Sequence, residues 1–476
     1  MKKKLFLSRL LKITAFGLIL ALLLSYTYKV FSWKDGVGDY SSSTETLYND
    51  LDANIVDVLF VGSSHCYSSI RNTQLWDDYG MGVFSMVVSG QDIASSYYHM
   101  NEVFKTQSPA LVCVELYGIT FDEHAITANI YRNTLPLKYS ENFLGVVDAI
   151  APEEDKTDYL LKWPILHTRY RELKRQDFVN NAPAYLGSYA FDSIITDLGE
   201  ITIYDGTETE PVSDEKLMYV QKMVDLAKEN DAEICFFIVP YKTSETKQKQ
   251  FKYMEAYLTE QGIPVVNLFD KYDEIGIDSH TDYYDSGHTN RYGATKITTY
   301  MGEYLKNNYN IPDRRTDERY YLWQENSVAF QHMIANEKLA ETENIFEYIE
   351  QLKIMDGYTV VIASTGEHMS DTVDISSELF SFGIDKDFIK NGGAVVIDNS
   401  TVVFDDYTNE FLYYTDTTLD PISVKNDDGK TQITVGKVLY NTIDNGIHIL
   451  VYDNILGTIA DFVGFNSHHE YNSNRL

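Results

Sequence analysis

At 476 residues the chain is too long for one ordinary hydrophobic core and suits two domains with extensions. Its 44% hydrophobic content excludes a disordered polymer. A formal net charge of −32 excludes nucleic acid as a partner, because phosphates require neutralisation by Lys and Arg.

The N-terminus departs from that acidic balance. Residues 1–34 hold seven basic residues (Lys2, Lys3, Lys4, Arg9, Lys12, Lys29, Lys34) and no acid. Between them "ITAFGLILALLLSYTY", Ile13 to Tyr28, carries no charge, and the apolar span extends to Trp33 when Lys29 snorkels. That is roughly 20 residues, close to the hydrocarbon thickness of a bilayer. A cleaved signal peptide is the alternative, but "SYTYKVFSW" offers no small-residue cleavage site. The reading is therefore a retained single-pass anchor over 1–33, its basic flank cytoplasmic and the body of the chain outside. A polar spacer, 34–49, follows it.

From residue 50 short apolar runs alternate with helical patterns. The runs are "IVDVLFV" (55–61), "VFSMVV" (83–88), "LVCVEL" (111–116), "EICFFIV" (233–239) and "IPVVNLF" (263–269). Continuous apolar, β-branched runs of this length are the pattern of buried parallel strands. The clearest helix is 213–230, with Ser213 as its cap, Asp214 and Glu215 in the first turn, and Leu217, Val220, Val224 and Ala227 at helical spacing. Strands alternating with helices predict a three-layer α/β domain over 50–310. The less regular stretch 120–212 is expected to be an insertion or lid. Cys113 and Cys235 fall in strand runs and read as core residues, and three cysteines make no disulfide framework.

Residues 311–355 read as a helical connector. Over 356–466, "YTVVIAS", "GGAVVID", "STVVFDD", "ITVGKVLY" and "IHILVYD" predict a small strand-rich α+β domain interrupted by one helix near 374–383. The tail, 467–476, contains His468, His469 and Glu470. It reads as frayed chain rather than a metal site.

Chemistry gathers at three places. Gly62-Ser63-Ser64-His65 follows the first strand, at the carboxyl edge where ligands bind in such sheets. The second strand leads into Ser89-Gly90-Gln91, where a glycine lets a backbone N–H approach a ligand. Near the end of the domain, Asp285 and His288 lie three apart before a helix starting near Tyr292. A histidine there can take a serine proton while the carboxylate holds its other ring nitrogen.

This order, strand–G-x-S, a glycine after the second strand, then D-x-x-H, resembles the SGNH (GDSL-type) hydrolase superfamily over about 50–310. The resemblance extends to its membrane-anchored envelope branch, which includes the D-alanine-transfer protein of teichoic acid assembly and exopolysaccharide O-acetyltransferases. "LKWPILHTRYREL" (161–173) and "DYYDSGHTNRYGATKIT" (282–298) carry that likeness. It implies Ser64 as nucleophile, His288 as base and Asp285 as orienting carboxylate. The backbone N–H groups of Ser64 and Gly90 would form the oxyanion hole. Ser63 occupies the place of the usual aspartate, which leaves Ser63 as a rival nucleophile. The family's third-block asparagine is missing: the third strand ends in "VELYGIT", and the carboxylate of Glu115 cannot donate. Tyr117 and Asn133 are the candidate replacements. His167 and Arg169 bind an anionic or sugar group at the mouth of the site, or pack and pair locally. Cys66, without a base of its own, reads as packing.

"GYTVVIASTGEHMSDTVDISSELFSFGI" (357–384) and "NGIHILVYDNILGTIADFVGFNS" (445–467) resemble the interleukin-like EMT inducer (GG or stem-type) domain, relatives of which bind carbohydrate. Together the resemblances imply an outward-facing O-acyltransferase, acetyl or D-alanyl, acting on a cell-envelope polysaccharide or teichoic acid. They imply no metal or organic cofactor and a multi-pass membrane-bound acyltransferase as partner. The few cysteines fit a Gram-positive envelope. An esterase with the same triad and a non-catalytic glycan-binding scaffold are the alternatives.

Overall fold

The computed structural model describes residues 2–32, 43–121, 127–173, 175–178, 186, 194–353, 356–365, 376–384, 388, 393–408, 410–417, 420–427, 430–440, 445–466 and 473–475. The His468–His469–Glu470 cluster and most of the 34–49 spacer lie outside them. The chain divides into two compact units, Met1–Ser327 and Val328–Leu476, and the division falls within the helix Tyr321–Glu341.

The first unit opens with the helix Lys2–Phe31. Its segment Arg9–Phe31 is the one helix among the described residues long and apolar enough to cross a membrane, and none of its most apolar stretch is buried. A five-stranded parallel sheet follows, ordered β2-β1-β3-β4-β5. Its strands are β1 (Val58–Gly62), β2 (Val83–Val87), β3 (Leu111–Glu115), β4 (Glu233–Ile238) and β5 (Val265–Asn267). Each predicted run supplied one strand. Val58 is in register with Val83 on one side and Leu111 on the other, and Leu111 with Glu233.

Successive side chains along a strand point to opposite faces, so continuous apolar runs are needed where both faces are covered. Leu59, Val61, Phe84, Met86, Val112 and Val114 pack on one side, with residues of helices Ile93–Val103, Glu141–Ile150, Asp214–Glu229 and Glu245–Glu260. Val58, Phe60, Val83, Val87, Cys113 and Cys235 pack on the other, with Cys66 and Ile70 of the segment after β1 and Ile297, Met301 and Leu305 of helix Arg291–Asn308. Ser213 caps its helix by accepting from the Lys216 N–H, as the sequence predicts. Cys113 and Cys235 are buried cross-strand neighbours with Sγ atoms 3.4 Å apart.

The 120–212 stretch is inserted between β3 and β4. Its described part is helical over 127–178, with Thr127–Thr134, Glu141–Ile150, Lys156–Leu161, Trp163–Leu166 and Arg175–Phe178, and without helix or strand over 194–212.

The second unit is antiparallel. One sheet has the order β15-β14-β13-β6-β7-β8, and a smaller one β12-β11-β10-β9. The strands are β6 (Tyr358–Thr365), β7 (Ala394–Asp398), β8 (Thr401–Asp406), β9 (Glu410–Thr415), β10 (Ile422–Asp427), β11 (Lys430–Val435), β12 (Val438–Tyr440), β13 (Gly446–Asp453), β14 (Thr458–Asn466) and β15 (Ser473–Arg475). The sheets share a core of Val361, Ala363, Val396 and Leu450 against Val424, Ile433 and Val435. The other face of the larger sheet is covered by Tyr348, Ile349 and Leu352 of helix Ile345–Lys353. The sequence reading finds five strands here, and the structure holds more. "ITVGKVLY" turns at Gly436 into two, β9 alternates exposed and half-buried residues, and β10 alternates buried residues with more exposed ones, instead of running apolar. That alternation marks a sheet with one wet face.

Candidate active site

Three strand ends converge at the carboxyl edge of the parallel sheet: Gly62 of β1, the Ser89–Gly90 turn after β2, and Glu115 of β3. Gly62 is required by crowding. A Cβ there would lie 2.6 Å from the Glu115 Cβ and 3.0 Å from that of Cys66. The chain then turns at Ser63 into the short helix Ser64–Ser69.

The two serines have different surroundings. Ser63 is fully buried. Its Oγ donates to Glu115 Oε2 at 2.8 Å and accepts from the His65 N–H at 3.2 Å. Ser64 Oγ lies 2.8 Å from His288 Nε2. On the far side of the ring, His288 Nδ1 is 2.9 Å from both carboxylate oxygens of Asp285. An ionised carboxylate only accepts, so Nδ1 carries the proton and Nε2 is left to accept from Ser64. The structure thus brings Ser64, His288 and Asp285 into one line and commits Ser63 elsewhere.

The histidine loop is locally encoded. Asp285 Oδ1 also accepts from the N–H groups of Gly287 (2.7 Å) and His288 (2.9 Å), which folds the D-x-x-H segment around its own carboxylate. Burial alone would raise the Asp285 carboxyl. The hydrogen bonds from His288 and Gly287 and the charge of the imidazole outweigh it and hold the group below the ordinary carboxylate range. Asn290 then caps helix Arg291–Asn308 by accepting from the Tyr292 and Gly293 N–H groups. Between base and cap, Thr289 Oγ1 donates to the Ser68 carbonyl at 2.8 Å and contacts Ser69 Oγ at 3.0 Å. Thr289 therefore staples the histidine loop to the helix that carries Ser64.

Glu115 sits beneath the Ser63–Ser64 turn. Its Oε2 accepts from the Ser63 N–H (3.2 Å) as well as the hydroxyl, and its Oε1 accepts from the Tyr117 N–H. Burial pushes this carboxyl up to about 7, against the opposing pull of those donors. His65 is buried behind the line. Its ring stacks on Tyr117 with centroids 3.7 Å apart and lies 5.3 Å from that of His288, and its Nδ1 has no hydrogen-bond partner among the described residues. Burial first, then the neighbouring His288 and Lys247 charges, push it well below the usual histidine range, so it stays neutral.

The insertion supplies the opposite wall. Gly90 has φ +65°, and a Cβ there would fall 2.2 Å from the side-chain amide carbon of Asn129. The Asn129 carboxamide therefore covers the Gly90 backbone. One turn on, Asn133 Nδ2 donates to the Asn129 carbonyl at 2.8 Å and to the Gly90 carbonyl at 3.4 Å. Buried His99 ties the same parts together, with Nε2 at 2.9 Å from the Asn133 carbonyl and Nδ1 at 3.2 Å from Gln91 Oε1.

The remaining candidates fall elsewhere. The Tyr117 ring packs on His65, Tyr241 and Phe121. The Asn133 amide nitrogen is committed to backbone. Exposed His167 contacts the Trp163 carbonyl through Nδ1 at 3.1 Å. Buried Arg169 pairs with Asp177 at 2.8 Å and donates to the Phe31 carbonyl at 2.7 Å, so it pairs locally. Cys66 is buried in the core, and burial pushes its thiol well above the usual range. Asn129, Thr289 and His65 have no role in the sequence reading. Thr289 adjoins a singled-out histidine, whereas Asn129 has no local signal at all.

No family model matches the chain, and no curated protein matches it. Among solved structures it is similar to a protein assigned to the G-D-S-L lipolytic family from Desulfitobacterium hafniense, at 10% identity and a TM-score of 0.28, over 52% of this chain and 97% of that one. It is also similar to a psychrotrophic esterase from Pseudoalteromonas sp., at 12% identity and a TM-score of 0.28, over 52% and 96%. A GDSL-like lipase from Bacteroides thetaiotaomicron is a third, at 15% identity and a TM-score of 0.26, over 52% and 87%.

Proposed function

We propose that the chain is a membrane-anchored SGNH-type serine enzyme that forms an acyl-Ser64 intermediate and passes the acyl group to a hydroxyl of a cell-envelope glycan or teichoic acid. The observation that carries this reading is the continuous Asp285–His288–Ser64 hydrogen-bonded line, 2.9 Å and 2.8 Å per step. As Ser64 Oγ attacks the ester carbonyl of the donor, its proton moves to His288 Nε2. The resulting imidazolium is held by Asp285 and returns the proton to the leaving alcohol. In the second half His288 deprotonates the acceptor hydroxyl, which attacks the acyl-serine and regenerates Ser64. The negative oxygen formed at each stage is stabilised by backbone N–H groups at Ser64 and Gly90 and by the Asn129 carboxamide, which takes the place of the missing third-block asparagine.

In this reading Arg9–Phe31 is a retained anchor with the catalytic unit outside the cell, where a multi-pass acyl-carrying partner loads Ser64. The second unit is an accessory module, glycan-binding by its resemblance, that contributes none of the triad. Transfer is preferred to hydrolysis because an insertion closing over Gly90 can hold an acceptor and exclude water. The test uses full-length protein in detergent with a small acyl ester. Labelling by a fluorophosphonate, and acylated sugar formed when an oligosaccharide acceptor is added, support transfer. Labelling with only free acid released makes the protein an esterase. No labelling of the folded protein leaves the scaffold reading in possession.

A further inference from the structure

The insertion that walls the candidate site is also bonded to the end of the anchor. The Phe31 ring lies 5.5 Å from that of Trp163, and the Phe31 carbonyl accepts from Arg169, whose own charge is neutralised by Asp177. The segments Trp163–Leu166, His167–Arg171 and Arg175–Phe178 all touch the anchor helix. They and the turn before them expose large apolar side chains that a water-facing surface does not require: Leu161 (59% exposed), Trp163 (41%), Tyr170 (57%) and Phe178 (55%). Tyr139, 64% exposed, reaches the Leu161 carbonyl from the neighbouring turn. Among the described residues of this stretch, Lys162 is buried on the Leu135 and Leu137 carbonyls and Arg169 on Asp177, while Arg171 is exposed beside Tyr170.

We infer that this apolar surface, Tyr139, Leu161, Trp163, Tyr170 and Phe178, lies in the headgroup layer of the bilayer that the anchor crosses. The inference rests on the anchor reading, since it is the hydrogen bond to Phe31 that fixes the surface at the level where the apolar helix ends. Exposed aromatic rings and leucines are the composition of interfacial segments, where apolar bodies enter the acyl boundary. An exposed apolar patch of this kind marks an interaction site in a soluble setting too, but here continuity with the anchor names the occupant as lipid. The consequence for the enzyme is geometric. The insertion that carries Asn129 against Gly90 also rests on the membrane, so the site's outer wall is held at the surface from which a membrane-borne acyl donor arrives.

The test places the full chain in vesicles of phosphatidylcholine and phosphatidylglycerol. The native cysteines, Cys66, Cys113 and Cys235, are all buried, so an added surface cysteine alone takes a fluorophore. Leu161→Cys and Tyr170→Cys report the surface, Leu20→Cys reports the anchor, and Met218→Cys, 43% exposed on helix Asp214–Glu229, reports water. Fluorophores at 161 and 170 are expected to be quenched several-fold more by shallow nitroxide lipids than the one at 218, and several-fold less by iodide. If they behave like the 218 position while the 20 position is shielded from iodide, the surface inference fails and the anchor stands. If the 20 position is open to iodide as well, the anchor reading falls and takes the inference with it. If 161 and 170 are open in vesicles but shielded in native membranes, a protein covers this face, and the lipid assignment is overturned.

Discussion

The two walls of the candidate site are built by different means. On one side the Asp285–His288 loop folds around its own carboxylate, is stapled by the next residue, Thr289, and ends in a cap one residue further. On the other, Gly90 meets Asn129 from an insertion that starts only after the next strand, and Glu115 reaches the Ser63 turn across the sheet. The first wall is a property of six consecutive residues, Asp285 to Asn290, meeting one strand end. The second exists only when β1, β2, β3 and the insertion are assembled. A proton relay can therefore be written in a short motif, while the oxyanion side depends on distant parts of the chain, and each wall can be broken separately.

The largest loss is expected from the relay wall. Ser64→Ala should abolish ester turnover and fluorophosphonate labelling in a protein with unchanged circular dichroism. Ser63→Ala should keep much of both, since the Ser63 hydroxyl is turned to Glu115. Asp285→Asn should cost about 10⁴ in kcat by imposing the wrong imidazole tautomer. Combined with His288→Ala it should add little, because the groups act as a unit. Multiplying losses in single-turnover measurements would break the relay.

Removing the Asn129 carboxamide tests the second wall. Asn129→Ala should lower kcat by about 10²–10³, the cost of one oxyanion donor, with KM little changed. Asn133→Ala should instead lower thermal stability, since its amide nitrogen binds only backbone. If Asn133→Ala carries the kcat loss and Asn129→Ala is silent, the donor has been assigned one helical turn too early. A smaller effect is expected at the staple. Thr289→Val keeps the shape but removes the hydrogen bond to Ser68, worth about 1 kcal/mol. A several-fold fall in kcat restored by Thr289→Ser would identify positioning, because a purely structural role would move the melting temperature with no such rescue of kcat.

The sequence reading reflects the same division. Five buried strands were legible because both faces of a parallel sheet must be apolar; Asp285 and His288 were legible because they lie three apart, and Ser64 because it follows directly on the first strand. The alternating strands of the second unit were partly missed, since Glu410–Thr415 mixes faces residue by residue. Asn129 was invisible for a stronger reason. Its significance comes from the left-handed backbone and bare α-carbon of Gly90, more than one strand away, and one helical asparagine reads like another. Asn133, one turn later, was as good a candidate until the packing against Gly90 separated the two.

Glu115 offers the sharpest test of the assembled wall, although its effect is on stability more than on rate. The residue was read as a carboxylate that cannot donate. Burial raises it from the ordinary glutamate value to about 7, so near neutrality it is partly protonated. In the unfolded chain the same group titrates near 4.3. The folded state therefore holds the proton more tightly. Its stabilising contribution is complete below the unfolded value and is lost as pH rises through the folded value, a window from about pH 4 to about pH 7. The difference corresponds to on the order of 3 kcal/mol across that window. Denaturant unfolding of the wild-type protein should show stability falling over this range relative to Glu115→Gln, which keeps the shape and an acceptor oxygen for the Ser63 donors but does not titrate. The depressed Asp285 acts in the opposite direction and at lower pH, so the comparison between the two proteins isolates residue 115. Parallel pH profiles for wild type and Glu115→Gln would mean that water reaches the carboxyl and that the turn carrying Ser64 is open from below.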